Sequence, residues 1–342
     1  MAKDVLETEH RSPREYEPEV NPLETKSVPR LREVKEPGTS SKFAPTVFVD
    51  PESVVPASDP DPAKPRRFLL KPVFPSAPYK VHVFQHGLKG FVPTRIAAVV
   101  PGGLTEFKRA LVFFHPLPTK RAGYAEGEYF EQTGGWHNIY RYCDQQGAQL
   151  AVSKRKFVLI FPIFNLGSTE TCGRFPDEWK SLIEDIMVMV RNANAPGLAK
   201  QPRPALTDVV TASYSAGVKY MHTFLKTAKG LGAHLREVYD YDGRFSTHKE
   251  FSEKLIGIHP KAKVLIYDQQ PVKEGDVEKE FKAGKGIHLP EPRWRDLPNG
   301  QTSFLNIAPD PNVQPVAGSL LVHGAMPRYM MFHSLSKSPF GH

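Results

Sequence analysis

One stretch near the middle of the chain constrains the fold more than any other. Val209, Val210 and Thr211 are β-branched, and they lead into the small-residue run from Ser213 to Gly217. Apolar residues then recur at a helical spacing, so the order is a strand, a tight turn with Ser215 at its apex, and a helix. The small residues let the strand and the helix pass close to each other. The stretch predicts a strand-turn-helix unit within an α/β domain.

The turn matches, with one departure, the G-x-S-x-G pattern that holds a nucleophilic serine in a strained conformation. Gly217 fills the second glycine position, and Ser213 replaces the first glycine with another small residue. We therefore predict that Ser215 is a nucleophile on an elbow. Because the position of Ser213 requires only a small side chain, Ser213→Ala is expected to matter far less than Ser215→Ala.

The first 67 residues differ in composition from the rest of the chain. Prolines recur among charged residues from Pro13 to Pro65, with almost no apolar periodicity. Such a segment buries too little apolar surface to offset the entropy of ordering. We expect residues 1–67 to be disordered or extended along the surface. Residues 68–342 have the length of one α/β domain.

Apolar periodicity divides this domain into strands and helices. Half-buried strands in an antiparallel entry to the sheet are predicted at 68–70, 79–85 and 94–100. Continuously apolar strands, typical of burial on both faces, follow at 110–114, 157–161, 209–212, 237–239, 263–267 and 319–322. Helical patterns separate them at 136–149, 177–192, 216–231 and 246–255. The alternation predicts a mostly parallel sheet flanked by helices.

Residues 270–316 interrupt this rhythm, being rich in proline, glycine and charge. Long irregular insertions in compact domains are usually functional or disordered. Because the stretch lies between the last two predicted strands, we interpret it as a possible lid over the site.

Charge and composition limit the possible partners. The net charge of +8 is mostly spread over single residues, without a nucleic-acid-binding signature. No apolar run reaches the length of a membrane span, and the N-terminus lacks the hydrophobic core of a secretory signal. We expect a cytoplasmic protein with no nucleic-acid partner, although export by another route stays open. Cys143, Cys172 and the histidines lack ligand spacing, so no metal or cofactor is predicted, and the cysteines are buried thiols or one bridge.

The order of an elbow serine, later strands that end in aspartates and a last strand that ends in histidine resembles the α/β-hydrolase fold over residues 68–342. The resemblance implies an eight-stranded mixed sheet. It also implies a Ser–His–Asp triad at the carboxyl ends of the strands.

Within this resemblance, the base follows the last strand. His323 ends the predicted strand and is favoured, with His333 as the alternative one helix farther on. For the acid, Asp268 ends the strand at 263–267 and is narrowly favoured. Asp240 and Asp242, which end the preceding strand, stay open.

An oxyanion hole would combine the backbone N–H of Ala216 with one from the loop after His115. Pro116 and Pro118 have no N–H, so Leu117 is the expected second donor. We expect His115 to orient this loop rather than to carry protons.

The resemblance implies a serine hydrolase that cleaves a carboxylic ester of a small-molecule or acyl substrate through an acyl-enzyme. Acyl transfer and amide cleavage use the same triad and stay open. A non-catalytic scaffold is the alternative of another class, favoured by the departures at Ser213 and at His115-Pro116.

Overall fold

The computed structural model describes residues 31–34, 46–49, 69–72, 79–86, 93, 95–116, 135–164, 172–243, 249–268, 294–296, 302–306 and 330–342. The strands in these residues are β1 (Leu31–Val34), β2 (Thr46–Val49), β3 (Leu69–Pro72), β4 (Tyr79–His86), β5 (Arg95–Pro101), β6 (Arg109–Phe114), β7 (Val158–Ile163), β8 (Asp208–Tyr214), β9 (Leu235–Tyr241), β10 (Lys263–Asp268), β11 (Trp294–Asp296) and β12 (Thr302–Asn306). The α-helices are α1 (Gly135–Ser153), α2 (Phe175–Asn194), α3 (Gly217–Thr227), α4 (Lys249–Glu253) and α5 (330–337).

One sheet holds ten of these strands in the order β1-β4-β5-β7-β6-β8-β9-β10-β12-β11. In sheet order, the neighbours in the run β7-β6-β8-β9-β10-β12 pair in parallel, whereas β5 is antiparallel to both β4 and β7. In sheet order, the eight strands β4, β5, β7, β6, β8, β9, β10 and β12 thus form a mixed sheet, which confirms the predicted α/β-hydrolase-like fold. Because β6, β8, β9 and β10 run in one direction, their carboxyl ends meet at one edge.

Two hydrophobic clusters cover the two faces of the sheet. Along β10, Ile266 contributes to one cluster and Tyr267 to the other, as expected for alternating strand residues. The first cluster packs under α2 and α3, where Trp179 and Phe224 are buried. The second packs under α1 and α5, where Leu335 is buried. Helices on both faces explain the continuously apolar strands.

Helix α2 shows why the sequence signals were readable. Its first turn holds Pro176, whose missing N–H costs nothing there, and the acidic residues Asp177 and Glu178. Arg191 lies in the last turn. These charges complement the helix dipole at both ends.

The predicted antiparallel entry to the sheet is partly wrong. Residues 69–72 pair with β2 in a separate two-stranded sheet. On the side away from β5, β4 instead pairs with β1, a four-residue strand from the N-terminal segment. Leu31 is buried in the core, and Glu33 accepts a 2.7 Å hydrogen bond from His82 Nδ1. At four residues, this strand is too short to show a period.

The stretch at 270–316 also contributes to the sheet. Strand β12 pairs in parallel with β10, and β11 pairs antiparallel with β12. Residues 302–306 and 294–296 are therefore strands, whereas the sequence predicted an irregular insertion over this whole stretch. The strand predicted at 319–322 lies outside the described residues, and a lid formed by other parts of the stretch stays a prediction.

Candidate active site

Ser215 lies at a strained turn between β8 and α3. Its φ angle is +53°, in the left-handed region that residues other than glycine seldom adopt. Its backbone N–H donates a 3.1 Å hydrogen bond to the carbonyl of Tyr241 at the end of β9. Tyr214 and Ala216 on either side are buried, while Ser215 is partly exposed. The turn therefore presents one serine side chain at the carboxyl edge of the sheet.

Gly217 shows why the elbow needs a glycine two residues after the serine. A Cβ atom there would lie closer than 3.0 Å to the backbone oxygens of Phe114 and His115. Backbone atoms at this distance cannot yield as a flexible side chain can. The start of α3 is thus pressed against the end of β6, as the small-residue rule anticipated.

Ser213 has more than a small side chain to contribute. It is fully buried, and its hydroxyl donates a 3.0 Å hydrogen bond to Asp240 Oδ1 on the neighbouring strand. The two residues stand opposite each other in the β8–β9 register. The sequence predicted only that this position needs a small side chain, and it did not predict the hydrogen bond to Asp240.

The three candidate acids all lie buried at the carboxyl ends of β9 and β10. Asp242 follows β9 in a left-handed conformation, φ +56°, and its N–H donates a 2.9 Å hydrogen bond to the carbonyl of Tyr267. Asp268 is the last residue of β10 and is 1% exposed. The structure thus brings Asp240, Asp242 and Asp268 to the edge that also carries Ser215.

Asp240 is engaged with two serines. Its Oδ2 accepts a hydrogen bond from Ser252 of α4, in addition to the bond from Ser213 to Oδ1. Burial raises the pKa of Asp240 to about 7, hydrogen bonds from the two serines act in the opposite direction, and the nearby carboxylates of Asp242 and Asp268 raise it further. Asp240 is therefore a group that changes charge near neutral pH.

Of the two candidate bases, His323 lies outside the described residues. His333 lies in α5, is 1% exposed, and its Nδ1 is 3.0 Å from the hydroxyl of Tyr267 in a hydrogen bond. The next residue, Ser334, is hydrogen-bonded to the hydroxyl of Tyr241. These two bonds dock the start of α5 against the ends of β9 and β10, on the face of the sheet that α1 also covers.

His115 holds the loop after β6 through both ring nitrogens. Its Nε2 accepts a 2.8 Å hydrogen bond from the backbone N–H of Phe164, so Nδ1 carries the proton and donates to the Pro116 carbonyl at 2.6 Å. Burial lowers the pKa of His115 to about 4, which keeps the ring neutral. These contacts are those expected of a residue that orients the loop, while that role itself stays a prediction.

The two expected oxyanion donors stand differently. Ala216 is buried and directly precedes α3, where the helix dipole favours negative charge. Leu117 lies outside the described residues, so its place in an oxyanion hole stays a prediction.

The described residues show no cluster of three or more histidine, cysteine or acidic side chains that could hold a metal ion. Cys143 and Cys172 are both buried as thiols, and burial raises the pKa of Cys172 to about 12. In the same part of the chain, every helix is too short or too polar to cross a bilayer.

Comparison with known proteins gives a likeness in structure only. No protein-family model matches the chain, and no curated protein sequence matches it. A glucuronoyl esterase from Teredinibacter turnerae superposes with a TM-score of 0.37 and 10% identity, over 86% of this chain and 81% of the other. A poly(3-hydroxybutyrate) depolymerase from Bordetella parapertussis gives 0.34 and 13%, over 76% and 94%. A dienelactone hydrolase from Anabaena variabilis gives 0.30 and 16%, over 69% and 90%. What the chain does therefore has to be argued from its own residues.

Proposed function

We propose that this protein is a serine hydrolase that cleaves a carboxylic ester, with Ser215 as its nucleophile. The observation that carries the proposal is the left-handed conformation of Ser215 between β8 and α3. Strain of this kind costs on the order of 1–3 kcal/mol and persists where the surrounding structure enforces it. Here the close approach of Gly217 to the end of β6 enforces it on one side. A partly exposed serine in this conformation suits attack on a bound carbonyl.

In the proposed reaction, Ser215 Oγ bonds to the acyl carbon while its proton moves to His323. The C–O bond to the leaving alcohol then breaks, and the alcohol oxygen takes the proton from His323. Water next attacks the acyl-enzyme, losing a proton to His323. The C–O bond to Ser215 then breaks as Ser215 Oγ takes that proton back from His323, which releases the acid and restores the free enzyme. The N–H of Ala216, with that of Leu117, would stabilise the negative oxygen formed at each attack.

Asp268 is our choice for the acid that orients His323. Both carboxyl oxygens of Asp240 already accept hydrogen bonds from serines, which favours a supporting role for that residue. Asp268 ends β10, the strand beside β12, and His323 is the first histidine in the chain after β12. This order along the chain supports the pairing of Asp268 with His323, with Asp242 as the alternative acid.

The test is hydrolysis of p-nitrophenyl acetate and butyrate by wild type and by Ser215→Ala. We expect Ser215→Ala to lower kcat by roughly 10⁴-fold or more while the far-ultraviolet circular dichroism is unchanged. Ser181→Ala is the matched control, since Ser181 is a partly buried serine of α2 that bonds to the Glu178 carbonyl. Hydrolysis by Ser215→Ala at the wild-type rate would exclude the nucleophile. A folded wild type without esterase activity would favour the scaffold alternative.

A further inference from the structure

The residue outside the proposed triad that is most tightly built into the elbow is Asp240. Its side chain is fully buried, as are those of its two partners Ser213 and Ser252. One carboxyl group thereby joins the end of β8, the end of β9 and helix α4. A buried polar group linked in this way fixes the relative position of the elements that contribute to it.

The turn after β9 closes over the same carboxyl group. A Cβ atom at Gly243 would lie closer than 3.0 Å to both carboxyl oxygens of Asp240, so only glycine fits there. Asp242, just before it, adopts the left-handed conformation that folds the chain back. The position of Asp240 therefore also sets the course of the turn that carries Asp242 and passes beside the end of β10.

The elbow serine lies close in the chain to one partner of the Asp240 carboxyl group. Ser213 precedes Ser215 by two residues, and the N–H of Ser215 donates to the carbonyl of Tyr241, the neighbour of Asp240. On the α3 side, the elbow is held by the contact of Gly217 with the end of β6. On the β9 side, it is held by the hydrogen bond from Ser213 to Asp240 and by the bond from the Ser215 N–H to the Tyr241 carbonyl. A strained residue needs restraint from both sides to stay in place.

We propose that Asp240 is a positioning residue that fixes the nucleophile elbow through its hydrogen bonds to Ser213 and Ser252. The proposal rests on the proposed function of Ser215. Loss of the Asp240 carboxyl leaves Ser213 and Ser252 without their shared acceptor and frees the end of β8 to shift. A displacement of about 1 Å at a reacting group can lower a rate by about 10²-fold. The substrate still binds, so the change falls on kcat rather than on KM.

The experiment compares kcat and KM for p-nitrophenyl butyrate across four variants, well below each melting temperature. We expect kcat to fall roughly 10- to 100-fold in Asp240→Ala and roughly tenfold in Ser213→Ala, with KM within about twofold of wild type. Asp240→Asn keeps a polar group that can bond to both serines, so it should recover most of the lost kcat. Recovery by the amide would not follow if the carboxylate took part in proton transfer.

Ser338→Ala is the matched control. Ser338 is also a buried serine whose hydroxyl donates to a buried carboxylate of β9, that of Glu237. Its loss should lower stability to a similar extent but leave kcat unchanged. Should Asp240→Ala fail to fold, the pair Ser213→Ala and Ser338→Ala decides the question.

Equal kcat values for these two serine variants, or an unchanged kcat in a folded Asp240→Ala protein, would overturn the inference. Those results would leave the proposed function standing as long as Ser215→Ala is inactive. An active Ser215→Ala protein would instead overturn the proposed function, and this inference with it.

Discussion

Strand β9 carries two buried carboxyl groups only three residues apart, and they hold different parts of the molecule. Asp240, near the carboxyl end, binds Ser213 and Ser252. Glu237, nearer the amino end, accepts a 2.6 Å hydrogen bond from the hydroxyl of Tyr239 and another from Ser338. The odd spacing places the two side chains on opposite faces of the sheet. One group borders the elbow of Ser215, and the other borders residues 335–342.

The region around Glu237 joins the last described residues to the start of β7. Arg155 Nε donates a 2.9 Å hydrogen bond to the Leu335 carbonyl, and the N–H of Lys156 donates to the Gly341 carbonyl at 2.6 Å. Burial is the main cause that raises the pKa of Glu237, as it is for Asp240. A buried carboxyl group bonded to serine thus stabilises the fold at Glu237. At Asp240, we propose that such a group both stabilises the fold and positions the nucleophile.

The largest expected difference between the two regions concerns histidines. His323→Ala should lower kcat by roughly 10⁴-fold, as much as Ser215→Ala, because the members of the proposed triad would act as a unit. His342→Ala should leave kcat unchanged, since His342 bonds to Arg155 in the region around Glu237. Ester hydrolysis by the purified variants measures both effects. An active His323→Ala protein together with an inactive His333→Ala protein would move the base to α5.

Two glycines extend the comparison to the backbone. A Cβ atom would clash with Asp240 at Gly243 and with the Phe157 ring at Gly341, which also has a φ of +75°. Each Gly→Ala change should lower the free energy of unfolding by about 1–3 kcal/mol, as overpacking does. Only Gly243→Ala should also lower kcat. Urea unfolding and ester hydrolysis on the same samples test this, and equal losses of kcat would remove the distinction.

Stability should depend on pH through both carboxyl groups. The pKa of Asp240 is raised to about 7 and that of Glu237 is raised as well, so the folded state binds more protons than the unfolded state. Their contribution to stability is full below the unfolded pKa values, near 4, and is lost as pH rises through the folded values. Asp240→Asn should therefore reduce the fall in unfolding free energy between pH 5 and 8 by on the order of 1–3 kcal/mol.

Glu237→Gln should flatten the same curve without changing kcat at any pH. Urea unfolding at pH 5, 6, 7 and 8 gives the curve for each protein. A wild-type stability that rises steadily from pH 5 to 8 would contradict a raised pKa for the two carboxyl groups in the folded state.

The smallest effect is expected far from both regions, at the β1 edge of the sheet. His82 donates to Glu33 through Nδ1, and its Nε2 accepts a 2.8 Å hydrogen bond from Asn194 Nδ2. Glu33→Gln removes a partly exposed charge, so it should cost less than about 1 kcal/mol of unfolding free energy and leave kcat unchanged. A larger loss of unfolding free energy would show that β1 supports the core more than this one hydrogen bond suggests.

The sequence predicted the central sheet well because its strands are covered on both faces. Runs such as 110–114 and 264–267 are apolar throughout, and β6 and β10 follow them closely. The elbow was also predicted, because the strained conformation of Ser215 and the close backbone approach at Gly217 require particular residue types at these positions. Such rules need only neighbouring residues.

What the sequence did not predict depends on distant partners. Strand β1 is four residues long and is held by contacts with β4, so no period marks it. Strand β12 lies among prolines and glycines and is defined by its pairing with β10. The bonds from Ser213 and Ser252 to Asp240 join residues 27 and 12 positions apart in the sequence. The Asp240-to-Gly243 run does contain an Asp-Gly pair typical of a turn, which was the one available signal.

The most direct test of the central claim is the site of covalent labelling by a fluorophosphonate. This probe reacts with an activated serine hydroxyl, forming a stable phosphonyl ester with loss of fluoride. We expect one probe per folded chain, located by peptide mass spectrometry on Ser215 and lost in Ser215→Ala. Labelling of another serine, or no labelling of a folded protein that hydrolyses the ester, would contradict the account.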